Sequence, residues 1–193
     1  MKIFAISFLA FMLLLGAGCR DSSQDEGTQP VIDRNSILLE ARENGLIMDD
    51  AEIAAMAAAQ PEIDQEGRSV EDVQGYLKTN VKDWWSAALA DVTGGDGYGI
   101  AHATLKTGSF TLIAQMGNLP EPASEYYYEV WIVRREDSLA VLSLGRAQKT
   151  ENGYALVYLT DTDLSDHDFF VLTLESNDGN PSPGEHILEG ILK

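Results

Sequence analysis

The chain has 193 residues, 13 of them basic and 31 acidic, for a formal net charge of −18 at pH 7. That balance argues against nucleic acid as a partner, because phosphate backbones are held by clustered Lys and Arg, and equally against electrostatic docking on anionic lipid. A single cysteine rules out a disulfide within the chain, so stability must come from an apolar core, for which 45% hydrophobic residues suffice.

The N-terminus carries one positive charge, Lys2, and then an apolar run from Ile3 to Leu15 interrupted only by Ser7. Gly16, Ala17 and Gly18 follow. A charged start, a short apolar stretch and a small-residue exit describe a secretory signal. The run is shorter than the ~20 residues a spanning helix needs. The segment Leu15-Gly16-Ala17-Gly18-Cys19 resembles the lipobox of bacterial lipoproteins, in which the cysteine is diacylated and becomes the mature N-terminus. It departs from the usual box in placing Gly16 three positions before the cysteine, with the branched Leu15 one position further out. The resemblance implies a signal peptide over 1–18, lipidation (palmitate-type acylation) of Cys19, and export to the outer side of the cell membrane or to an outer membrane. The alternative is a plain signal peptide with an incidental cysteine. Each buried CH₂ of an acyl chain gains ~0.8 kcal/mol, and two chains hold a protein where one does not. Acylation would also remove a lone thiol from an oxidising compartment. Loss of Lys2 with the leader takes the charge to −19.

Residues 19–35 are polar and aperiodic and read as a flexible tether. Arg20, rather than Asp, follows the cysteine, which favours onward sorting over retention at an inner membrane. A helical segment is expected over 36–93. In its first part Ile37, Leu38, Ala41, Leu46, Ile47, Ile53 and Met56 recur at helical spacing, with a break at Asn44-Gly45 and an N-cap at Asp49 or Asp50. Pro61 ends it. A second helix is expected from Ser69, whose hydroxyl and Asp72 form a capping box, to about Val92, with Val70, Val73, Leu77, Val81, Trp84, Trp85 and Leu89 on one stripe. Trp84 and Trp85 read as helix-packing residues, with a ligand platform as the sharper alternative.

Gly94-Gly95-Asp96-Gly97-Tyr98-Gly99 breaks the helix and reads as a hinge; it lacks the Lys-Ser/Thr ending of a phosphate loop. Beyond it the period changes to two. Strands are expected over 101–105, 110–116, 126–135, 139–148, 153–159, 169–175 and 186–192, with turns at Thr107-Gly108, Pro120–Ser124 and Asn177–Asn180. The expected fold is mainly β with an α-helical N-terminal part: an antiparallel β-sandwich of about seven strands over 99–193, preceded by two to three helices.

Within that half, Tyr128-Glu129-Val130-Trp131-Ile132-Val133, then Phe169-Phe170-Val171-Leu172-Thr173-Leu174-Glu175, then Asn180-Pro181-Ser182-Pro183-Gly184 occur in order, after Gly117-Asn118-Leu119-Pro120. This order resembles the extracytoplasmic C-terminal domain of anti-sigma-K factors. The resemblance implies a β-sandwich sensor or interaction domain reused in a lipoprotein. It does not carry sigma-factor binding, because this chain has neither a second apolar span nor a cysteine pair. Tyr128 and Trp131 should lie on opposite faces of their strand, with Trp131 in the inter-sheet core.

Catalytic signals are sparse. The richest is Asp161-Thr162-Asp163-Leu164-Ser165-Asp166-His167-Asp168, whose four carboxylates suit a hard cation in type but not in EF-hand spacing, since positions 166 and 172 hold Asp and Leu. His102, His167 and His186 show no zinc-ligand spacing, and no Gly-x-Ser-x-Gly elbow occurs. The reading is a lipid-anchored extracytoplasmic binding, scaffolding or envelope-sensing protein. It takes the membrane as one partner and an envelope protein as a possible second, with no cofactor, metal or catalysis of its own. The alternative is an envelope hydrolase or metal-dependent enzyme built on Asp161, Asp163, Asp166 and His167.

Overall fold

Two short helices open the described part of the chain: α1, Arg34–Glu43, and α2, Asp50–Ala58. The computed structural model describes residues 33–135 and 138–193, so Cys19, the leader and most of the expected tether lie outside the described residues. Asp33 caps α1 by accepting from the amides of Asn35 and Ser36. The break falls at Asn44-Gly45, as the sequence predicts. Asp49 caps α2 in a full capping box with Glu52, each side chain accepting from the other residue's backbone amide.

The expected second helix does not form. Residues 69–92 divide into a two-residue strand β1 (Arg68–Ser69), a single 3₁₀ turn at Tyr76–Lys78, and strand β2 (Trp85–Asp91). The helical spacing of Val70, Val73, Leu77, Val81 and Trp84 comes from a different cause: these residues line an irregular strap that packs on Ile113, Ala155 and Val157 of the sheet. In β2 the inward residues are Ala87 and Leu89 and the outward ones Ser86, Ala88 and Ala90. Alanine on both faces hides the two-residue period and reads as helix former.

The remaining strands are β3 (Tyr98–Lys106), β4 (Ser109–Gly117), β5 (Tyr126–Arg134), β6 (Ala140–Arg146), β7 (Gln148–Thr150), β8 (Gly153–Thr160), β9 (Phe169–Ser176) and β10 (Glu185–Ile191). All seven expected strands are present. They do not make a seven-stranded sandwich. All ten strands belong to a single antiparallel sheet in the order β1-β8-β4-β3-β2-β10-β9-β5-β6, with β7 also on β8, and the sheet curls into a nearly closed barrel. Closure depends on a strand that changes partners. β6 pairs with β5 as far as Arg146, across a bulge at Leu144 between the partners of Val130 and Trp131, and β7, just beyond, pairs with β8. Gly145 sits in that bulge at φ 104, a conformation open to glycine and strained for other residues. The seam is tied further by Gln148, whose Nε2 donates to the Val70 carbonyl at 2.6 Å.

The barrel interior holds Phe110, Leu112, Met116, Val130, Ile132, Leu142, Leu156, Phe170, Leu172 and Leu188 among others. Tyr128 also points inward, edge-on to Tyr154, and donates to the Pro120 carbonyl; burial, then the nearby Tyr154 and Asp91, pushes its phenol up to about 12. Trp131 is on the opposite face, as expected, but on the outer side and not in the strand-enclosed core. It packs with Met48, Met56, Val133, Val141, Phe169 and Val171 beneath the α1–α2 segment. Its indole donates to Thr173 Oγ1 at 2.8 Å, and Thr173 bonds to Glu175 in turn. Residues 130–133 and 169–172 are therefore apolar on both faces because both faces are covered.

Two coverings thus grip the barrel from outside: α1–α2 over β10, β9, β5 and β6, and the 70–84 strap over β8 and β4. Arg135 fastens the first. Its guanidinium lies 4.0 Å from the Phe169 ring centroid, donates to the Gly45 carbonyl at 3.1 Å and pairs with Glu52 at 3.7 Å. Glu189, fully buried on the outer side of β10, accepts from the Met48 amide at 2.6 Å and from His186 Nδ1 at 2.6 Å.

Candidate binding face

The sequence-predicted acidic loop does not converge on one point. Asp161 accepts from Ser109 on the β3–β4 side, and Asp163 closes a local turn by accepting from the Ser165 amide and hydroxyl. Asp166 pairs with Arg134 at 2.7 Å and accepts from His167 Nδ1 at 2.7 Å. Burial works to raise the Asp166 carboxyl, but Arg134 and His167 outweigh it and hold it below the usual range. His167 Nε2 is buried without a hydrogen-bond partner, 3.9 Å from a Glu62 carboxylate oxygen. Among the described residues no group of three or more His, Cys, Asp or Glu has the geometry to hold a metal ion. The other histidines are also spoken for: His186 by Glu189, and His102 by Ser86, whose hydroxyl lies 2.8 Å from its Nδ1. Burial pushes the His102 imidazole below the ordinary histidine range.

The glycine-rich stretch expected as a hinge is instead the fastened tip of the β2–β3 hairpin. Asp91 accepts from the amides of Thr93, Gly95 and Gly97 and from the Thr93 hydroxyl. Asn118 and Arg34 tie the same loop to the β4–β5 turn and to α1. Trp84 is half-buried in the 70–84 strap with the Lys106 ammonium 5.8 Å from its ring centroid, and Trp85 stands 39% exposed at the start of β2.

Between the two coverings, the outer face of β2 and β3 remains open to solvent. The strand register arranges it in three cross-strand rows. Glu189, Ala90 and Tyr98 form one row, with Glu189 under Met48. Ala88 and Ile100 form the next, with Ile191 of β10 beside them by continuation of the same pairing. Ser86 and His102 form the last, with Lys193 joined to Ser86 by reciprocal backbone bonds of 3.0 and 3.3 Å. No charged side chain stands in the open outward positions of β2 and β3 between Ser86 and Tyr98, in a chain of net charge −18. Tyr98 is 63% exposed and Ile100 42%.

The alanines of β2 make the floor of a groove of about 310 Å³, walled by Ala41, Leu46 and Ile47 on one side and reaching Ser86 and Lys193 at its end. On the far side of Tyr98 and Ile100 lies a second hollow of about 330 Å³, bounded by Leu77, Met116 and Tyr154. The Tyr98 ring lies across Gly117, where any side chain would collide with it. Sequence reading missed Ser86, Ala88, Ala90 and Ile100 as a surface. The available signal was the alternation of small outward residues in Trp85–Asp91, which becomes visible once that segment is read as a strand. Searches against family models, curated proteins and solved structures found no match to this chain.

Proposed function

We propose that the chain is an extracytoplasmic binding module, exported by the 1–18 leader and held at the membrane by acyl chains on Cys19, with no chemistry of its own. The β2–β3 outer face is its ligand surface. The observation that carries this reading is the open, uncharged stripe of Ala88, Ala90, Tyr98 and Ile100 between two coverings that bury the rest of the apolar outer wall. Exposed aromatic and aliphatic side chains in one contiguous patch mark an interaction site more often than a surface in contact with water alone. The order of the Tyr128–Val133, Phe169–Glu175 and Asn180–Gly184 segments supports a sensor-like role of the anti-sigma-factor C-terminal kind. The carboxylates of 161–168 have diverging partners and give no support to the hydrolase alternative.

The test is a photo-cross-linking amino acid placed at Tyr98 in the full chain, with Glu185 at the exposed start of β10 as the comparison position. The binding-module reading expects adducts from Tyr98 and none from Glu185 in intact cells. Equal yields from the two positions, or none from Tyr98, would remove the β2–β3 face from consideration.

A further inference from the structure

We infer that the β2–β3 face is turned toward the bilayer and rests in its headgroup layer, so that the surface proposed above binds lipid itself. This deepens the reading of that face as the ligand surface, and it rests on that reading and on the Cys19 anchor. The first argument is where the chain enters the folded part. Asp33 caps α1, and the next residue, Arg34, donates to the Gly95 carbonyl and pairs with Asp96 at the tip of the β2–β3 hairpin. Asp96 is two positions before Tyr98, so a tether that reaches Asp33 arrives at one end of the open face. Residues 20–32 separate that point from Cys19. Read as the coil that their polar, aperiodic sequence predicts, they average about 20 Å end to end. A folded unit of the size of 33–193 is about 40 Å across. The anchor therefore holds this side nearer the membrane than the opposite one.

The second argument is composition. The outward positions of β2 and β3 are Ser86, Ala88, Ala90, Tyr98, Ile100 and His102, none of them acidic in a chain with 31 acidic residues. A carboxylate is costly to take out of water, so a side free of carboxylates is the one that can meet lipid. Leu46 adds a 46% exposed aliphatic side chain at the wall of the groove beside Ala88 and Ala90. Tyrosine suits the headgroup layer, where the apolar body of the ring and its hydroxyl tip meet different surroundings. Contact of this kind draws on apolar burial and needs no anionic lipid, which the net charge of −18 would repel. Exposed apolar side chains also occur on the far side of the barrel. In the sheet order β6 stands four strands from β2; Ile63 follows Glu62, which is bridged to β6, and Leu139 directly precedes that strand. These two residues are the internal comparison.

The experiment uses the full acylated chain, extracted from membranes and returned to phosphatidylcholine vesicles in which some lipids carry a nitroxide just below the headgroup. With the lone Cys19 acylated, a cysteine introduced elsewhere is the one free thiol, and it takes a fluorescent label. Labels at Tyr98→Cys and Ile100→Cys should be quenched by the lipid nitroxide and shielded from iodide in the water. Labels at Ile63→Cys and Leu139→Cys should show the reverse. Ala88→Glu, a change at a position already open to solvent, should return the label at Ile100→Cys to iodide. Equal lipid quenching at all four positions would overturn the inference, as would quenching at Ile100→Cys that survives Ala88→Glu. Stronger quenching on addition of phosphatidylglycerol would also overturn it, since contact would then be driven by charge. Labels at Tyr98→Cys and Ile100→Cys that stay in water, while Tyr98 still cross-links to a protein in cells, would sink the lipid assignment and leave the binding face standing. Water-exposed labels with no such cross-link would sink both, and a chain without acyl mass would remove the anchor and this inference with it.

Discussion

Removing the Glu189 carboxylate should show how firmly the helical covering is held to the barrel. Glu189→Ala deletes two hydrogen bonds of 2.6 Å, one from the Met48 amide in the α1–α2 connection and one from His186 Nδ1. Both partners are buried, so neither finds water as a substitute. Two effects oppose each other. Burying a carboxylate costs several kcal/mol in desolvation, so its removal relieves something. Against that, two buried donors lose an acceptor, at about 1.5–3 kcal/mol for each bond to a charged group. Removal of one partner from a buried polar pair leaves the second uncompensated, and that term dominates in general. The net expectation is a loss of about 3–4 kcal/mol for Glu189→Ala. Glu189→Gln keeps an oxygen for Met48 and should lose only about 1 kcal/mol. Urea unfolding of the chain from Asp33 onward, followed by tryptophan fluorescence, measures both. The reasoning is refuted if Glu189→Ala lies within about 0.5 kcal/mol of the unmodified chain, or if the Gln variant is as unstable as the Ala variant.

Phe170→Ala, at a fully buried position inside the barrel, should cost about 3–5 kcal/mol in the same unfolding assay. Gly153→Ala should cost about 2 kcal/mol or more, because φ is 136° and the new Cβ would stand 2.1 Å from the Met116 carbonyl oxygen; a neutral result would contradict the β4–β8 geometry. Burial works to raise the Asp91 carboxyl, but its bonds from Thr93, Gly97 and Gly95 outweigh it and leave the group below its ordinary value. A depressed folded value means that Asp91 adds stability above the unfolded pKa of about 4 and loses it as pH falls through the folded value. Melting temperatures should therefore separate the unmodified chain from Asp91→Asn by a constant amount between pH 7 and 5. The gap should close on acidification below about pH 4, and a gap that widens there would reverse the assigned direction.

Local signals were readable around the first two helices, whereas the Ser69–Asp72 capping pattern misled, since Ser69 ends β1 and no α-helix follows it. Asp49 announces a helix start because an N-cap carboxylate needs only the amides two and three residues ahead of it, and Asn44-Gly45 announces the break between helices. The seven strands after Gly99 were legible from their period and turns. β2 was not, because Ala87, Ala88 and Ala90 occupy both faces and carry no contrast. Barrel closure was not legible either, since it depends on the change of partner after Arg146, where β6 leaves β5 and β7 joins β8. Trp131 was placed on the correct side of its strand relative to Tyr128 but in the wrong layer. Two covered faces make both sides of β5 apolar, and pattern alone does not say which is enclosed. The candidate face escaped notice for a related reason: Ser86 and His102 are 16 residues apart and become neighbours only through the β2–β3 register.

An address at the membrane and a surface on β2 and β3 are proposed together for this chain. Intact mass of the full-length product extracted from membranes, beside a Cys19→Ala variant, tests the address most directly. The expected product is a mature chain that begins at Cys19 and carries acyl mass, with both features lost in the variant. A soluble chain with an unmodified Cys19 thiol would contradict it.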